Sequence, residues 1–302
     1  MLNPMINATA FSDAPLVAFY RSNHRFPRLT DDPPAYTYRG WLLPYVIMAH
    51  AVIPETANRW DYYFKLCDTT TPPIDPIPQI QFLDIPHGPT AKAVNHWVEI
   101  LETQGWNAFG EFIDWLAYGL AVSKTQPRLP DVNQARLYRE VQIHQLLQFP
   151  YDYLGELLCE RRSRGHNPTQ FYPTPATVVS FMTQMLYGDP TTSEKLRTLD
   201  KICDPCCGTG RMLLYASNHS LRLYGMDIDA LVVKIACING VLYAPWMAFP
   251  LPEQLFSQSD QPINVSTTTH AFAIHDHQSF TAGDQLPFPF HSPQPNRRRK
   301  AA

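Results

Sequence analysis

The sequence predicts an α/β fold that is preceded by a mainly helical region. Apolar residues recur at helical spacing up to about residue 150, and the pattern changes after residue 165. A glycine-rich turn then lies between a strand candidate and a helix candidate, and Asp227 ends a second strand candidate 23 positions after Asp204. The order strand, turn, helix, strand, helix is typical of the opening of a doubly wound parallel sheet.

The N-terminal region holds several predicted helices. Residues 41–67 include a mixed apolar stretch that predicts helix, whereas residues 68–90 are rich in proline, which fixes φ and removes a backbone donor. Residues 90–122 contain two amphipathic segments, which predicts a helical hairpin. A further helix is predicted over residues 131–147, before Pro150.

The predicted α/β region begins with a helix at 175–187, in which Val178, Val179, Met182 and Leu186 are expected on one side. The elements that follow are a strand at 199–204, a helix at 211–217, a strand at 221–227 and a helix at 229–243.

From about residue 245 proline and polar residues dominate, and regular structure is not predicted. The chain ends in a basic run at 297–300, which we interpret as a solvated tail rather than a phosphate contact. We therefore divide the chain into a mainly helical region at 1–150, an α/β domain at 151–290 and a basic disordered tail at 291–302.

Composition excludes some classes of function. The 302 residues carry a formal net charge of −3, so there is no overall basic field to hold nucleic acid, and DNA contact needs a local patch or a partner. No apolar run of about 18 residues predicts a membrane span, and no signal peptide is evident. The six cysteines lack the spacing of a disulfide framework, which favours a reducing, cytoplasmic compartment.

The turn Asp204-Pro205-Cys206-Cys207-Gly208-Thr209-Gly210 is the first candidate for ligand binding. Its glycines permit a tight bend and a close approach of the backbone to a ligand. The start of the next helix is expected to offer free N–H groups and a positive dipole, which suit a carboxylate or a phosphate. The turn matches neither the dinucleotide fingerprint nor a phosphate loop.

The acidic segment Gly225-Met226-Asp227-Ile228-Asp229 is the second candidate. An acidic residue at the end of a second strand can accept hydrogen bonds from both ribose hydroxyls. A third feature lies upstream, where Gln170-Phe171-Tyr172-Pro173-Thr174-Pro175 is followed by Val178-Val179. Alone, this segment indicates a helix entry with proline in the first turn.

Taken in order, these three segments resemble the N6-adenine DNA methyltransferases, and most of all the modification subunits of type I restriction-modification systems. Tyr153-Leu154-Gly155-Glu156-Leu157 and Ala236-Cys237-Ile238-Asn239 add to the resemblance, which covers roughly residues 150–245. It implies a Rossmann-like methyltransferase fold, S-adenosylmethionine as the cofactor and DNA as the substrate. DNA would be reached through a specificity subunit or another partner chain.

The resemblance also implies roles for single residues. Phe171, Tyr172, Thr174 and Pro175 would close over the methionine end of the cofactor. The loop beneath it would be formed by Asp204, Pro205, Cys206, Gly208, Thr209 and Gly210. Asp227 would hold the ribose, Ile228 would pack on the adenine, and Asp284, in Gly283-Asp284-Gln285-Leu286, would bind the adenine amino group.

The sequence also departs from the family. Pro173 is an insertion between Tyr172 and Thr174, and Asp227 stands where glutamate is more usual. The catalytic Asn/Asp-Pro-Pro-Tyr/Phe motif, expected some tens of residues after Asp284, is missing, so no catalytic residue is assigned. In the family this motif binds the target amino group and stacks on the flipped base.

Two functions remain open at this point. The chain is either an adenine-specific DNA methyltransferase that needs a partner chain for the missing motif, or a non-catalytic cofactor-binding or interaction module left from a longer methylase. A helical assembly protein whose cofactor site only stabilises folding is a third reading.

Other clusters have simpler interpretations. A zinc site could be suggested by Cys203, Cys206, Cys207 and His219, but we expect packed thiols, with Cys203 in a buried strand. The triplet His275-Asp276-His277 is interpreted as a surface loop, so we assign no metal site. We expect a solvated turn rather than a phosphate site for the arginines at 161, 162 and 164. Core packing is expected, rather than a nucleic-acid platform, for Trp97, Trp106, Phe109, Phe112 and Trp115.

Overall fold

A computed structural model describes residues 35–67, 76–102, 107–165, 167–188 and 198–251. The N-terminal part consists of helices joined by short connections, with 3-10 turns at Ala35–Thr37 and Pro54–Thr56. The helices are α1 Leu43–Val52, α2 Arg59–Cys67, α3 Gly88–Glu102, α4 Ala108–Gly119, α5 Asp131–Glu140 and α6 His144–Gln148. None of the described helices is long and apolar enough to cross a membrane.

Helix α1 covers most of the apolar stretch that predicts helix within residues 41–67, and the chain then breaks before α2. Ile53 is extended because it precedes Pro54, and a residue before proline avoids helical angles. Ala57 and Asn58 then adopt positive φ angles of 52° and 49°, which turn the chain before α2. The predicted helix at 131–147 is likewise divided at Val141, which is extended and completely buried.

The C-terminal part contains one strand–helix–strand unit. Its elements are α7 Tyr153–Ser163, α8 Ala176–Tyr187, β1 Lys201–Asp204, α9 Arg211–Ala216, β2 Arg222–Gly225, α10 Ala230–Tyr243 and α11 Pro245–Ala248. Among the described residues β1 and β2 form a two-stranded parallel sheet, with Lys201 opposite Arg222 and Asp204 opposite Gly225. This register places the ends of both strands, and the turns that follow them, at one edge.

Helix α10 lies at the centre of the molecule. All of its residues from Ile235 to Tyr243 are buried, and α11, where regular structure was not predicted, is buried as well. The Trp60 indole donates to the Val241 carbonyl at 3.0 Å, and the Tyr243 hydroxyl donates to the Leu146 carbonyl at 2.9 Å. The helices before residue 150 and the strand–helix–strand unit therefore share one apolar core; the boundary at 150 stays a prediction.

Helix α8 presents an uncovered apolar face. It contains no charged residue, and Val179 is completely buried at its contact with α9. The large apolar side chains that are exposed instead are Val178, Phe181, Met182, Met185 and Leu186. Apolar patches of this kind are unusual on the surface of monomers, so this face of α8 is a candidate contact surface.

The buried His50 gives a prediction on acid stability. Its ring Nε2 lies 2.8 Å from the Leu242 carbonyl, and burial lowers its pKa to about 3. Below pH 6.5 the unfolded chain binds a proton that the folded chain does not, so stability is lost as the pH falls from 6.5 towards 3. We expect a loss of about 2 kcal/mol from this residue between pH 7.5 and pH 5.

The measurement is urea unfolding at both pH values for the native chain and for His50→Asn, which keeps a donor but does not titrate. The native chain should lose more stability on acidification than the variant. Equal losses in the two proteins would show that His50 is not the acid-sensitive group.

Candidate functional site

The glycine turn connects the end of β1 to the start of α9. Gly208 and Gly210 have φ angles of 53° and 80°, which residues with a Cβ rarely adopt. A Cβ on Gly208 would also lie 3.0 Å from Cε2 of Phe171. Both glycines are therefore required by the shape of the turn, and Phe171 packs directly on it.

Free N–H groups were predicted at the start of α9, and the turn before that helix has N–H groups of its own. The structure gives four of them acceptors within the protein, so these groups are not available to an anion without rearrangement. The bonds are Cys206 N–H to Asp204 Oδ1 at 3.1 Å, Cys207 N–H to the Met226 carbonyl at 2.9 Å, Gly208 N–H to Asp227 Oδ2 at 3.0 Å and Gly210 N–H to the Cys207 carbonyl at 2.8 Å.

Asp227 lies beside the turn, just beyond the end of β2. Its Oδ2 accepts from Gly208, and its Oδ1 accepts from the Asp229 N–H at 3.0 Å. Each carboxylate oxygen has lone pairs left for a further donor. Ile228, the next residue, is 90% exposed and offers a large apolar side chain next to that carboxylate.

Asp204 and Asp227 are two carboxylates that border the turn, and each accepts a hydrogen bond from one of its N–H groups. Burial raises the pKa of Asp204 and the Cys206 N–H lowers it, while the negative charge of Asp227 raises it further, so the pKa lies above its usual value. Two neighbouring carboxylates repel each other, and a cation bound between or beside them relieves that repulsion. Positive charge on a ligand would therefore be favourable beside these two carboxylates.

The segment from Phe171 to Pro175, called the strap below, crosses the same region. Asn167 fixes its start, because its side chain accepts from the Phe171 N–H at 2.9 Å and donates to the Phe171 carbonyl at 3.1 Å. The Thr174 carbonyl accepts from Arg211 Nη1 at 2.9 Å. Phe171 is buried, whereas Tyr172 is 70% exposed. The structure thus brings the strap, the turn and Asp227 together.

An ion pair ties the last turn of α7 to Asp229, the residue that caps α10. Arg162 Nη1 lies 2.7 Å from Asp229 Oδ2, which also accepts from the Thr169 hydroxyl at 2.8 Å. Burial alone would raise the pKa of Asp229, but the bonds from Arg162 and Thr169 lower it overall. Arg161 donates to Asn95 at 3.1 Å. Two of the three clustered arginines are therefore structural residues, not parts of a solvated turn.

The cysteines are arranged differently from the prediction. Cys203 and Cys206 are exposed, whereas Cys207 and Cys237 are buried. The expectation that Cys203 is buried is wrong because one face of the two-stranded sheet is uncovered among the described residues. Burial raises the pKa of Cys237 to about 12. No group of possible metal ligands occurs in the described part of the chain.

Three site residues were not identified as such from the sequence. Asp152 caps the N-terminus of α7, Arg211 follows the turn, and Asn239 is a polar residue in an apolar stretch of α10. All three are buried, and they contact one another beneath the turn. The only sequence signal was their polarity among apolar neighbours. Asp284 and the triplet at 275–277 lie outside the described residues.

A cavity of about 400 Å³ lies next to the strap. Its walls include Tyr172 and Pro173 of the strap, Tyr151, Glu156 and Arg211. The Tyr151 hydroxyl donates to Glu156 at 2.9 Å, and burial raises the pKa of Tyr151 above its usual value. The strap and Arg211 therefore both line this cavity.

Comparison with known proteins gives one match. No curated protein and no solved structure matches the chain. The family model described as N-6 DNA Methylase matches residues 151–244, about a third of the chain. That range contains Asp152, the strap, the glycine turn, Asp227 and Asn239. The segment that builds the candidate site is therefore similar to the N-6 DNA methylases.

Proposed function

We propose that this chain is the cofactor-binding part of a cytoplasmic, S-adenosylmethionine-dependent DNA adenine-N6 methyltransferase of the restriction-modification kind. The observation that carries the proposal is the convergence of the strap, the turn and Asp227 within the segment that matches the N-6 DNA methylases. We further propose that the parallel strands β1 and β2 belong to a Rossmann-like sheet.

The residues present fit this cofactor. S-adenosylmethionine carries a sulfonium cation, an ammonium group and ribose hydroxyls, and Asp204 and Asp227 offer two carboxylates at the turn that suit positive charge. Asp227 has acceptor capacity for the ribose hydroxyls, and the exposed Ile228 offers an apolar surface to the adenine. Four N–H groups of the turn already bond within the protein, so the donors for the carboxylate of the methionine end would come from elsewhere, such as the start of α9.

When bound, the cofactor supplies an electrophilic methyl group, and the residues of this chain hold and orient it. Asp204 and the strap residues Phe171, Thr174 and Pro175 would hold the methionine end. The fixed distance between the strap and Asp227 would then set the direction in which the methyl group points. Positioning of this kind is the main contribution that a protein makes to a direct transfer.

The target adenine requires groups from elsewhere. The 302 residues contain no Asn-Pro-Pro or Asp-Pro-Pro followed by an aromatic residue; Asp32-Pro33-Pro34 is followed by Ala35. We propose that a partner chain supplies the motif and, because the net charge here is −3, most of the DNA contacts.

The second candidate, a non-catalytic cofactor-binding or interaction module, is favoured by the apolar face of α8. Five large apolar side chains on one uncharged helix indicate a surface that another polypeptide covers. This module would bind the cofactor without transferring its methyl group.

The test is calorimetric titration of the purified chain with S-adenosylmethionine, followed by a methyl-transfer assay on unmodified DNA. Binding without transfer supports a cofactor-binding part that needs a partner or has lost catalysis. Binding with transfer contradicts the need for a partner. No binding contradicts the proposal as a whole and leaves the similarity as ancestry.

A further inference from the structure

Asp152 is a buried carboxylate behind the cofactor turn. It is 3% exposed and caps α7 by accepting from the Gly155 N–H at 2.9 Å. A Cβ on Gly155 would lie 2.2 Å from Asp152 Oδ2 and 2.5 Å from Thr209 Oγ1. Only glycine at 155 lets α7 and the turn approach this closely.

The two carboxylate oxygens of Asp152 accept four hydrogen bonds. Oδ1 accepts from Gly155 and from Asn239 Nδ2 at 2.8 Å. Oδ2 accepts from the Thr209 hydroxyl at 2.5 Å and from Arg211 Nε at 3.3 Å. One side chain therefore joins α7, the turn, α9 and α10.

The partners of Asp152 hold the groups that line the cofactor site. Asn239 also donates to the Thr209 carbonyl at 3.0 Å, so Thr209 is held through its side chain and its backbone. Arg211 donates to the Thr174 carbonyl of the strap at 2.9 Å and to Glu156 at 3.0 Å. Burial alone would lower the pKa of Arg211, but the charge of Asp152 raises it overall, so the guanidinium remains charged.

We propose that Asp152 is a positioning residue for cofactor binding. It fixes the turn through Thr209 and the strap through Arg211, and it therefore sets the gap between them without touching the cofactor. This inference rests on the proposed function, because the gap matters only if a ligand occupies it. A carboxylate is required at this position because Oδ1 accepts from two N–H donors and Oδ2 accepts from Arg211 Nε, so an N–H₂ group at either place would face at least one N–H donor.

The test is Asp152→Asn, which keeps the shape but directs an N–H₂ group at one or both of the N–H donors that face each oxygen. We expect the affinity for S-adenosylmethionine to fall ten- to a hundredfold. In the free protein, amide hydrogen exchange should become faster at Gly208 and Gly210 and stay unchanged in α3 and α4. The matched control is Asp114→Asn, whose carboxylate accepts from Lys234 away from the turn, and it should change neither readout.

A second pair of variants keeps the test decisive if Asp152→Asn does not fold. Thr209→Val removes only the hydroxyl donor and should weaken binding, while Thr209→Ser should restore it. Faster exchange throughout the protein, or valine and serine variants that behave alike, would overturn the positioning role. If the native chain does not bind S-adenosylmethionine, the proposed function fails, whereas the exchange at Gly208 and Gly210 still decides whether Asp152 fixes the turn.

Discussion

Asp227→Ala is expected to weaken S-adenosylmethionine binding at least about 100-fold while the protein remains folded. In the proposed function the carboxylate accepts from two ribose hydroxyls, and a hydrogen bond to a charged group contributes about 1.5–3 kcal/mol. Losing two such bonds costs about 3 kcal/mol or more, which corresponds to about two orders of magnitude in Kd. Calorimetric titration measures the change directly.

The fold should tolerate this change because Asp227 is only half-buried and its protein partners are two backbone N–H groups near the surface. Asp200→Ala is the matched control, since Asp200 is an exposed carboxylate next to the other end of β1. The control should bind as the native chain does. Native affinity in Asp227→Ala would remove the ribose assignment and leave Asp227 as a residue that only shapes the turn.

The local parts of this site were predictable from sequence. Helix α8, the strands β1 and β2 and helix α10 lie where apolar spacing and the glycine turn indicate them. Each depends on residues within about 15 positions, and the φ angles of Gly208 and Gly210 are a property of the turn itself. The turn and Asp227 follow two parallel strands and so lie at one edge of the sheet, whereas the strap was placed beside them only by the family resemblance.

The supporting contacts were not predictable, because they join residues that are distant in sequence. Thr209 and Asp152 are 57 positions apart, and Arg59 and Ser217 are 158 apart. The sequence pattern around one residue of such a pair gives no information about which distant residue it contacts. The exposed side of α8 was equally hidden, since a run of apolar residues does not reveal which of its two faces finds a partner.

Arg59 is the strongest link between the N-terminal helices and the strand–helix–strand unit. It is completely buried, and its guanidinium donates to the carbonyls of Pro78 at 2.7 Å and Tyr243 at 3.1 Å, to Ser217 Oγ at 2.7 Å and to Asn218 Oδ1. These acceptors are neutral oxygens, so no carboxylate in this set offsets the loss of hydration. Burial consequently lowers the pKa of Arg59 to about 9.

Arg59→Met is expected to destabilise the protein by about 3 kcal/mol or more. The carbonyls of Pro78 and Tyr243 lose their donor, and an unsatisfied buried acceptor costs about 1–3 kcal/mol. Methionine fills most of the volume, so the cavity contribution should be small. Urea unfolding at pH 7.5 measures the loss, and Arg139→Met, on the exposed side of α5, is the control that should cost little.

The size of the loss separates two accounts of this buried cation. If the hydrogen bonds of Arg59 outweigh its desolvation, Arg59→Met is strongly destabilised, and Arg59→Lys also loses stability because one ammonium cannot reach four separate acceptors. If the cost of removing Arg59 from water equals the free energy of its hydrogen bonds, Arg59→Met should be as stable as the native chain. Replacing buried ions by apolar residues often has this neutral effect. In that case Trp60 and Tyr243, not Arg59, would hold the two parts together, because their bonds to Val241 and Leu146 remain intact.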